Sequence, residues 1–275
     1  VRISEVHYPV TIAEILHLLE ANPELQLIAG GTEIVGAQSS RSLDFPRQVA
    51  SISKVQELRK TMRTEQFLEV GACSTLTGLL GLSAGNLQPP LPEVIATIGN
   101  HAVRNTATIG GNLCSRNRFM DLWPFLACMD AQVELRSSQG SRWASVSHLK
   151  GKDDSPFLPP ATLLSRIRLP LRSFEFLFWR KLGRPGFPMD STANFVCMAT
   201  RERGKIEEFR LAFAGRKAFR NRDLELSLSG RKAGMPEKEL RGLVAAWAES
   251  FSAVDWFDRR YFIALLEEAF ERLFT

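Results

Sequence analysis

The sequence predicts an α+β protein in two domains, and three observations predict it. Through residues 1–170, short β-prone runs alternate with segments whose apolar residues recur at helical spacing. From Phe174 onward the pattern becomes an antiparallel meander, followed by two long apolar helical faces. Two glycine pairs, Gly30-Gly31 and Gly110-Gly111, each follow an apolar or β-prone run in the first part. The boundary falls at Pro170, which divides the chain into 1–170 and 171–275. There is no internal repeat and no low-complexity segment.

Val1 to Tyr8 reads as a lead-in to Pro9. Thr11 followed by Glu14 forms a capping box, and Ile12, Ile15, Leu16 and Leu19 line one helical face until Asn22-Pro23 stops it. Leu25 to Ala29 is a strand that runs into the first glycine pair. Phe45-Pro46 breaks the next segment, Val49 to Ile52 is a strand, and Val55 and Leu58 make an apolar contact near a turn. Phe67 to Gly71 reads as a strand of alternating exposure. Ser74-Thr75 caps a short helix holding Leu76, Leu79 and Leu80. Gly81 to Pro92 is a connection, and Pro92 to Ile98 is helical with Gly99 as its stop.

Ala102 to Ile109 leads into the second glycine pair. Leu122 to Met129 is apolar enough for a buried helix. Gln132 to Arg136 and Arg142 to Val146 pair around a turn at Ser138 to Gly140. Leu163, Ile167 and Leu169 share one strand face, with Arg166 and Arg168 on the other. Phe174, Phe176 and Phe178 alternate along a strand. Asn194 to Thr200 and Ile206 to Ala214 are joined through Arg203-Gly204. Leu240, Leu243, Val244, Trp247 and Phe251 form one helical face; Phe262, Leu265, Leu266, Ala269, Phe270 and Leu273 form another.

Of the 275 residues, 44% are hydrophobic and 24% charged, an ordinary globular balance. No apolar run is long enough for a membrane span, and the first residues lack signal-peptide order. A cytoplasmic protein with no membrane partner is the expectation. The formal net charge is +5. Its basic residues are dispersed, so no nucleic-acid partner is expected, and an acidic protein or a phosphorylated cofactor suits the charge. The four cysteines and four histidines have neither zinc nor iron–sulfur ligand spacing. The cysteines read as small buried residues and His101 as structural. No metal site and no protein general acid or base is nominated.

The chemistry rests on the glycine pairs. Glycine takes φ > 0 without a Cβ penalty and lets backbone approach a ligand; another residue forced there loses about 1–2 kcal/mol. Successive N–H groups in such a turn form a nest for anions, and a short helix after it adds its first amides. One Gly-Gly pair is usually an ordinary turn. Two pairs with hydroxyl or amide neighbours Thr32, Thr108 and Asn112, followed by Asp121, point to two loops closing on one anionic cofactor. Asp121 would repel phosphate, so its role is to accept hydrogen bonds from sugar or ribityl hydroxyls.

Ile28-Ala29-Gly30-Gly31-Thr32-Glu33-Ile34 and Ala107 to Leu113, followed by Asp121-Leu122, carry a family resemblance. So do Leu158-Pro159-Pro160 through Leu163-Leu164-Ser165 to Leu169-Pro170, and Arg180-Lys181-Leu182-Gly183-Arg184. In this order and spacing the chain resembles the flavin-binding subunit or domain of molybdenum hydroxylases, among them xanthine and carbon monoxide dehydrogenases. The resemblance implies a two-lobed FAD-binding domain over 1–170. A small C-terminal domain of three-stranded antiparallel sheet plus helices would follow over 171–275, as in the carbon monoxide dehydrogenase flavoprotein. FAD is the implied cofactor. Leu27, Ile28, Ala29, Gly30, Gly31, Thr32, Glu33 and Ile34 would contact its diphosphate and nearby flavin. Thr108, Ile109, Gly110, Gly111 and Asn112 would wrap its other side. Asp121 would bind the ribityl or sugar region, Ile98 would lie near the adenine, and Leu164 and Lys181 would approach the isoalloxazine. Relatives carry small residues and a proline before the aspartate; here the stretch is Cys114-Ser115-Arg116-Asn117-Arg118-Phe119-Met120. Its bulky side chains could pair with the diphosphate, remodel the flavin edge or partly block it.

The function so implied is an FAD-binding electron-transfer subunit of a multi-subunit, xanthine dehydrogenase-like enzyme. A molybdenum–pterin large subunit and an iron–sulfur small subunit would be its partners, and NAD or another acceptor would take the electrons. By the resemblance alone, xanthine or another purine is the substrate, and no residue of this chain touches it. Two alternatives are a self-sufficient flavoprotein oxidoreductase, and a non-catalytic assembly subunit that has lost FAD.

Overall fold

The structure is a computed structural model that describes residues 5–36, 38, 46–82, 90–116, 119–183, 192–232, 234–251 and 256–274, with backbone alone at 256–258. Val1 to Ser4 of the lead-in, Phe45, the part of the Gly81–Pro92 connection at 83–89, Asn117, Arg118 and Arg184 lie outside the described residues. The chain forms two compact units. The first comprises Val1–Ser115, Asp130–Leu149 and Phe157–Leu171; the second comprises Arg116–Met129, Lys150–Pro156 and Arg172–Thr275.

The first unit contains two sheets. Strand β1 (Glu5–His7) leads to helix α1 (Ile12–Ala21), strand β2 (Gln26–Ile28), helix α2 (Thr32–Gly36) and strand β3 (Gln48–Ser51). Both β1 and β2 pair parallel with β3, in the order β1-β3-β2. The capping box forms in part, because the Glu14 carboxylate turns back past Thr11 to the residue before it. Thr11 Oγ1 accepts the Glu14 N–H at 3.2 Å, and Glu14 Oε2 accepts the Val10 N–H at 2.8 Å. Ile12, Ile15 and Leu19 then turn inward onto Leu25, Ala50, Ile52, Val55 and Leu58. The lead-in thus contains a strand, three residues long, whose partner lies about forty residues further along the chain.

The second sheet starts with strands β4 (Thr61–Arg63) and β5 (Phe67–Gly71), and helices α3 (Leu76–Gly81), α4 (Leu91–Ala96), α5 (His101–Thr106) and α6 (Ile109–Leu113) follow. Past helix α7 (Leu122–Cys128), which belongs to the second unit, it adds β6 (Gln132–Ser137), β7 (Gly140–Ser145) and β8 (Leu163–Pro170). The antiparallel order is β4-β5-β8-β6-β7. Strand β5 departs from the expected alternation, because Glu69 is buried along with Leu68 and Val70. Arg168 Nη2 lies 2.6 Å from Glu69 Oε1, and Arg166 Nη1 lies 3.2 Å from Oε2. Arg166 also grips Glu134 with two bonds, Nε to Oε2 at 2.8 Å and Nη2 to Oε1 at 3.0 Å. Ser165 Oγ donates to Glu134 Oε2 at 2.6 Å, and Arg168 lies 4.0 Å above the Trp143 ring. The carboxylates are covered by the arginines that neutralise them, as burial of charge requires.

In the second unit, β9 (Phe176–Leu182), β10 (Ala193–Glu202) and β11 (Lys205–Ala214) form the meander. A two-residue edge strand, β12 (Ala218–Phe219), completes the order β12-β11-β10-β9. The β10–β11 turn places Arg203 at φ 51° and Gly204 at φ 74°, the two left-handed residues of a tight hairpin. Short α8 (Arg222–Ser227) precedes the long helices α9 (Glu237–Ser250) and α10 (Trp256–Phe274). Their apolar faces meet the sheet in a core rich in aromatic rings. Phe213 packs edge-on against Phe262 at 5.7 Å, and Phe251 stacks on Phe262 at 4.2 Å. The C-terminal end of α7 is bound by two arginines. Arg210 Nη1 donates to the Cys128 carbonyl at 2.8 Å and Arg220 donates to the Ala127 carbonyl, with Glu225 paired to Arg220 at 2.9 Å. Cations at a helix C-terminus complement its dipole.

Burial opposes ionisation of Glu134, but hydrogen bonds from Arg166, Ser165 and Arg136 outweigh it and hold the carboxyl at about 2, against an ordinary 4.5. Its contribution to stability is therefore complete above pH 4.5 and is lost as pH falls toward 2. The Glu134→Gln variant is expected to lose about 1.5–3 kcal/mol at neutral pH. In urea titrations its stability should fall less steeply than the parent's below pH 4.5. Parallel pH profiles for the two proteins would contradict this account.

Candidate cofactor site

The first glycine pair forms a turn between β2 and α2. Gly31 has φ +68°, in the left-handed region. Gly30 is glycine for a different reason: a Cβ there would stand 1.9 Å from the Thr106 carbonyl oxygen. The turn lies hard against the last residue of α5. Helix α2 then begins at Thr32, and among the described residues no carbonyl accepts the N–H groups of Thr32, Glu33 or Ile34. Leu27, Ile28 and Ala29 before them are half-buried, as are Gly30 to Ile34. Open amides beside a hydroxyl are the donor set that a diphosphate takes.

The second glycine pair is not a loop. Gly110 and Gly111 lie inside α6, capped by Thr108, whose Oγ1 accepts the Gly111 N–H at 3.0 Å. Neither glycine has positive φ. Glycine pairs disfavour helix, but packing selects glycine at position 110. A Cβ on Gly110 would come within 2.6 Å of Ala72 Cβ and 2.7 Å of the Ala72 carbonyl oxygen. Residues 72–76 clamp this segment. Gly110 N–H donates to the Ala72 carbonyl at 2.9 Å, Ile109 N–H to Ser74 at 3.1 Å, and Leu76 N–H to Ala107 at 2.9 Å. Its amides are thus spent internally, and no nest forms. What it presents is bare Gly111, which is exposed, with half-buried Asn112 beside it; Ile109 and Gly110 are buried.

A side-chain bond joins the two glycine segments. Ser115 Oγ, on a residue 3% exposed, donates to Glu33 Oε1 at 2.6 Å. With the Gly30–Thr106 contact this locks α2 to the chain on both sides of α6. Ile98 closes the end of α4 at 8% exposed. The adjoining carbonyls of Ala96, Ile98 and Gly99 all accept from Arg104 Nη1, at 3.1, 3.1 and 2.8 Å. Leu164 is buried on β8, opposite Leu135.

Asp121 and Lys181 belong to the second unit and pair with each other. Lys181 Nζ lies 2.8 Å from Asp121 Oδ1, and Asn194 Nδ2 donates to the same oxygen at 2.9 Å. In the bulky stretch before Asp121, Phe119 is buried against Trp123 at 4.9 Å, and its N–H donates to the Gly215 carbonyl at 2.8 Å. That ring is part of the second unit's interior, while Arg116 is exposed.

The sequence profile described as FAD binding domain in molybdopterin dehydrogenase matches residues 2–172. The chain belongs to this family. FAD is the family's cofactor, and its chemistry is that of an oxidoreductase. The chain is 27% identical over 212 residues to the xanthine dehydrogenase FAD-binding subunit of Escherichia coli O157:H7, covering 75% of this chain and 72% of that one. It is 27% identical over 231 residues to the glyceraldehyde dehydrogenase medium chain of Sulfolobus acidocaldarius, covering 81% and 79%. Against Aldehyde oxidase 2 of Cavia porcellus it spans only 16% of the longer protein. The fold is that of reconstituted CO dehydrogenase from Oligotropha carboxidovorans (TM-score 0.82, 21% identity, 98% of this chain and 96% of that chain). It is also that of quinoline 2-oxidoreductase from Pseudomonas putida 86 (TM-score 0.78, 20% identity, 100% and 96%). Among the described residues no helix is long and apolar enough to cross a membrane.

The residues present fit the family's cofactor. The open amides of α2 suit phosphate oxygens, and Thr32, Asn112 and the bare surface at Gly111 suit close approach to a polar ligand. Sequence reasoning missed Ser115, Asn194 and the clamp at Ala72 to Leu76. Asn194 alone carried a signal, as a polar residue in an apolar strand. Cys73, Cys128 and Cys197 are buried and Cys114 is half-buried; burial pushes the Cys73 thiol up to about 11, so it is inert.

Two glycine variants separate fold from ligand. Gly30→Ala should lower the stability of the chain without cofactor by roughly 1–3 kcal/mol, through overlap with the Thr106 carbonyl. Gly111→Ala meets only the Thr108 hydroxyl, at 3.0 Å. It should melt close to the parent yet bind FAD several-fold more weakly in a fluorescence titration. A Gly30→Ala chain as stable as the parent, or a Gly111→Ala chain with parental affinity, would contradict these assignments.

Proposed function

We propose that this chain is the FAD-carrying electron-transfer subunit of a multi-subunit molybdenum hydroxylase. It takes electrons from iron–sulfur clusters on a small partner subunit and passes them to NAD or another acceptor. A large molybdenum–pterin partner oxidises the organic substrate. The observation that carries this reading is the pair of glycine segments locked together at Gly30–Thr106 and Glu33–Ser115, inside the stretch that matches the family profile. The relatives support the subunit role: one is named an FAD-binding subunit and one a medium chain. Another solved protein of the same fold is the carbon monoxide dehydrogenase from Hydrogenophaga pseudoflava, which lacks the Mo-pyranopterin moiety of the molybdenum cofactor.

FAD, when bound, supplies storage for electrons that enter singly and leave in pairs. Residues 1–170 serve as the FAD-binding domain and 171–275 as the C-terminal domain. Leu27 to Ile34 hold the diphosphate, with the amides of Thr32, Glu33 and Ile34 donating. Thr108 to Asn112 cover the other side, Asp121 accepts from a ribityl or sugar hydroxyl, and Ile98 lies near the adenine. Leu164 and Lys181 border the isoalloxazine. The chain works in the cytoplasm, and xanthine or another purine is the substrate of the assembled enzyme.

The test is a titration of the full chain with FAD, followed by assays with NADH and with xanthine. About one FAD per chain, oxidation of NADH, and no oxidation of xanthine without partners are expected. Oxidation of xanthine by the chain alone would contradict the subunit reading.

A further inference from the structure

Asn194 stands in the apolar first part of β10. From Ala193 to Ala199, β10 reads Ala-Asn-Phe-Val-Cys-Met-Ala, and all seven residues are buried. Asn194 is 0% exposed. Its Nδ2 donates to Asp121 Oδ1 at 2.9 Å, while its own Oδ1 has no hydrogen-bond partner among the described residues. Reversing the amide would set its oxygen against a carboxylate oxygen, so the acceptor Asp121 decides its orientation. A buried amide oxygen left unpaired is destabilising. A leucine of similar size would fill the strand position without that penalty. The stability of the core therefore does not account for asparagine here.

Asp121 does account for it. It stands just before α7 with helical backbone angles (φ −56°, ψ −31°), and its side chain caps no amide of that helix. Its Oδ1 instead takes Lys181 Nζ at 2.8 Å and Asn194 Nδ2 at 2.9 Å. Lys181 and Asn194 are direct register partners on β9 and β10. Two donors fixed in one sheet thus converge on one oxygen, and the Asp121 side chain keeps 11% exposure. The carboxylate is held by Oδ1 and presents Oδ2.

We propose that Asn194 is a positioning residue for FAD binding. It orients Asp121 so that Oδ2 accepts from a ribityl or ribose hydroxyl of the cofactor. Asn194 does not touch FAD itself. This inference rests on the proposed role of Asp121 as a cofactor ligand.

A double-mutant cycle on the full chain tests it, with the FAD dissociation constant read from flavin fluorescence. Asn194→Leu and Asp121→Ala should each weaken binding by roughly ten- to a hundredfold, the range for hydrogen bonds to charged groups. The double variant should bind no more weakly than Asp121→Ala alone, because Asn194 acts through Asp121. Asn194→Leu without cofactor should stay folded and melt close to the parent, since removal of the unpaired oxygen offsets the lost bond to Asp121. Effects that add in the double variant would overturn the proposal, as would parental affinity in Asn194→Leu. Parental affinity in Asp121→Ala would instead remove the cofactor role of Asp121, and the proposal with it. Should Asn194→Leu fail to fold by circular dichroism, Asn194→Ser, which is smaller and too short to reach Asp121, takes its place in the same cycle with the same expected binding outcomes.

Discussion

At Gly30 the backbone of the first turn lies so close to the Thr106 carbonyl that one added carbon would sit 1.9 Å from it. This contact sets where α2 begins relative to α5 and α6. Because Gly31 follows at φ +68°, the chain can turn at once into α2, which begins at Thr32. The Ser115–Glu33 bond pins the same helix from the far side of α6. The second segment is fixed in turn by Ala72 to Leu76, which use up its own amides. The two glycine segments therefore differ in kind: one offers donors, the other a smooth surface and side-chain polar groups.

Charge inside each unit serves geometry in a similar way. Glu69 and Glu134 lie beneath Arg166 and Arg168, and tie β5, β8 and β6 in one register. In the second unit, Arg210 and Arg220 hold the C-terminal carbonyls of α7, with Glu225 paired to Arg220. Such networks add less net stability than their hydrogen bonds suggest, because desolvation offsets them, yet removing one partner leaves an uncompensated charge. Fixing α7 from its C-terminus also fixes Asp121 at its start, so the network bears on the carboxylate without touching it.

Much of this was legible in the sequence where the cause is local. The Thr11–Glu14 box, the Asn22-Pro23 stop, the hairpin at Arg203-Gly204 and the two C-terminal helical faces depend on neighbours a few residues apart. The family motifs likewise show in order along the chain. What stayed hidden depends on contacts distant in sequence. Glu69 reads as an exposed strand residue until Arg166 and Arg168 arrive from β8, almost a hundred residues later. Gly110-Gly111 reads as a loop because glycine disfavours helix, and the Ala72 backbone that requires it lies on another segment. Asn194 shows as an anomaly in an apolar run, but Asp121, 73 residues away, gives it meaning.

The central claim is that Gly30 to Ile34 and Thr108 to Asn112 together form the surface that FAD covers. Amide hydrogen exchange of the full chain with and without FAD tests it most directly, because the amides of Thr32, Glu33 and Ile34 have no carbonyl partners among the described residues. Slowed exchange on addition of FAD, largest at Thr32 to Ile34 and present at Thr108 to Asn112, is the expected result. Bound FAD with unchanged exchange at both segments would place the cofactor elsewhere and contradict the account.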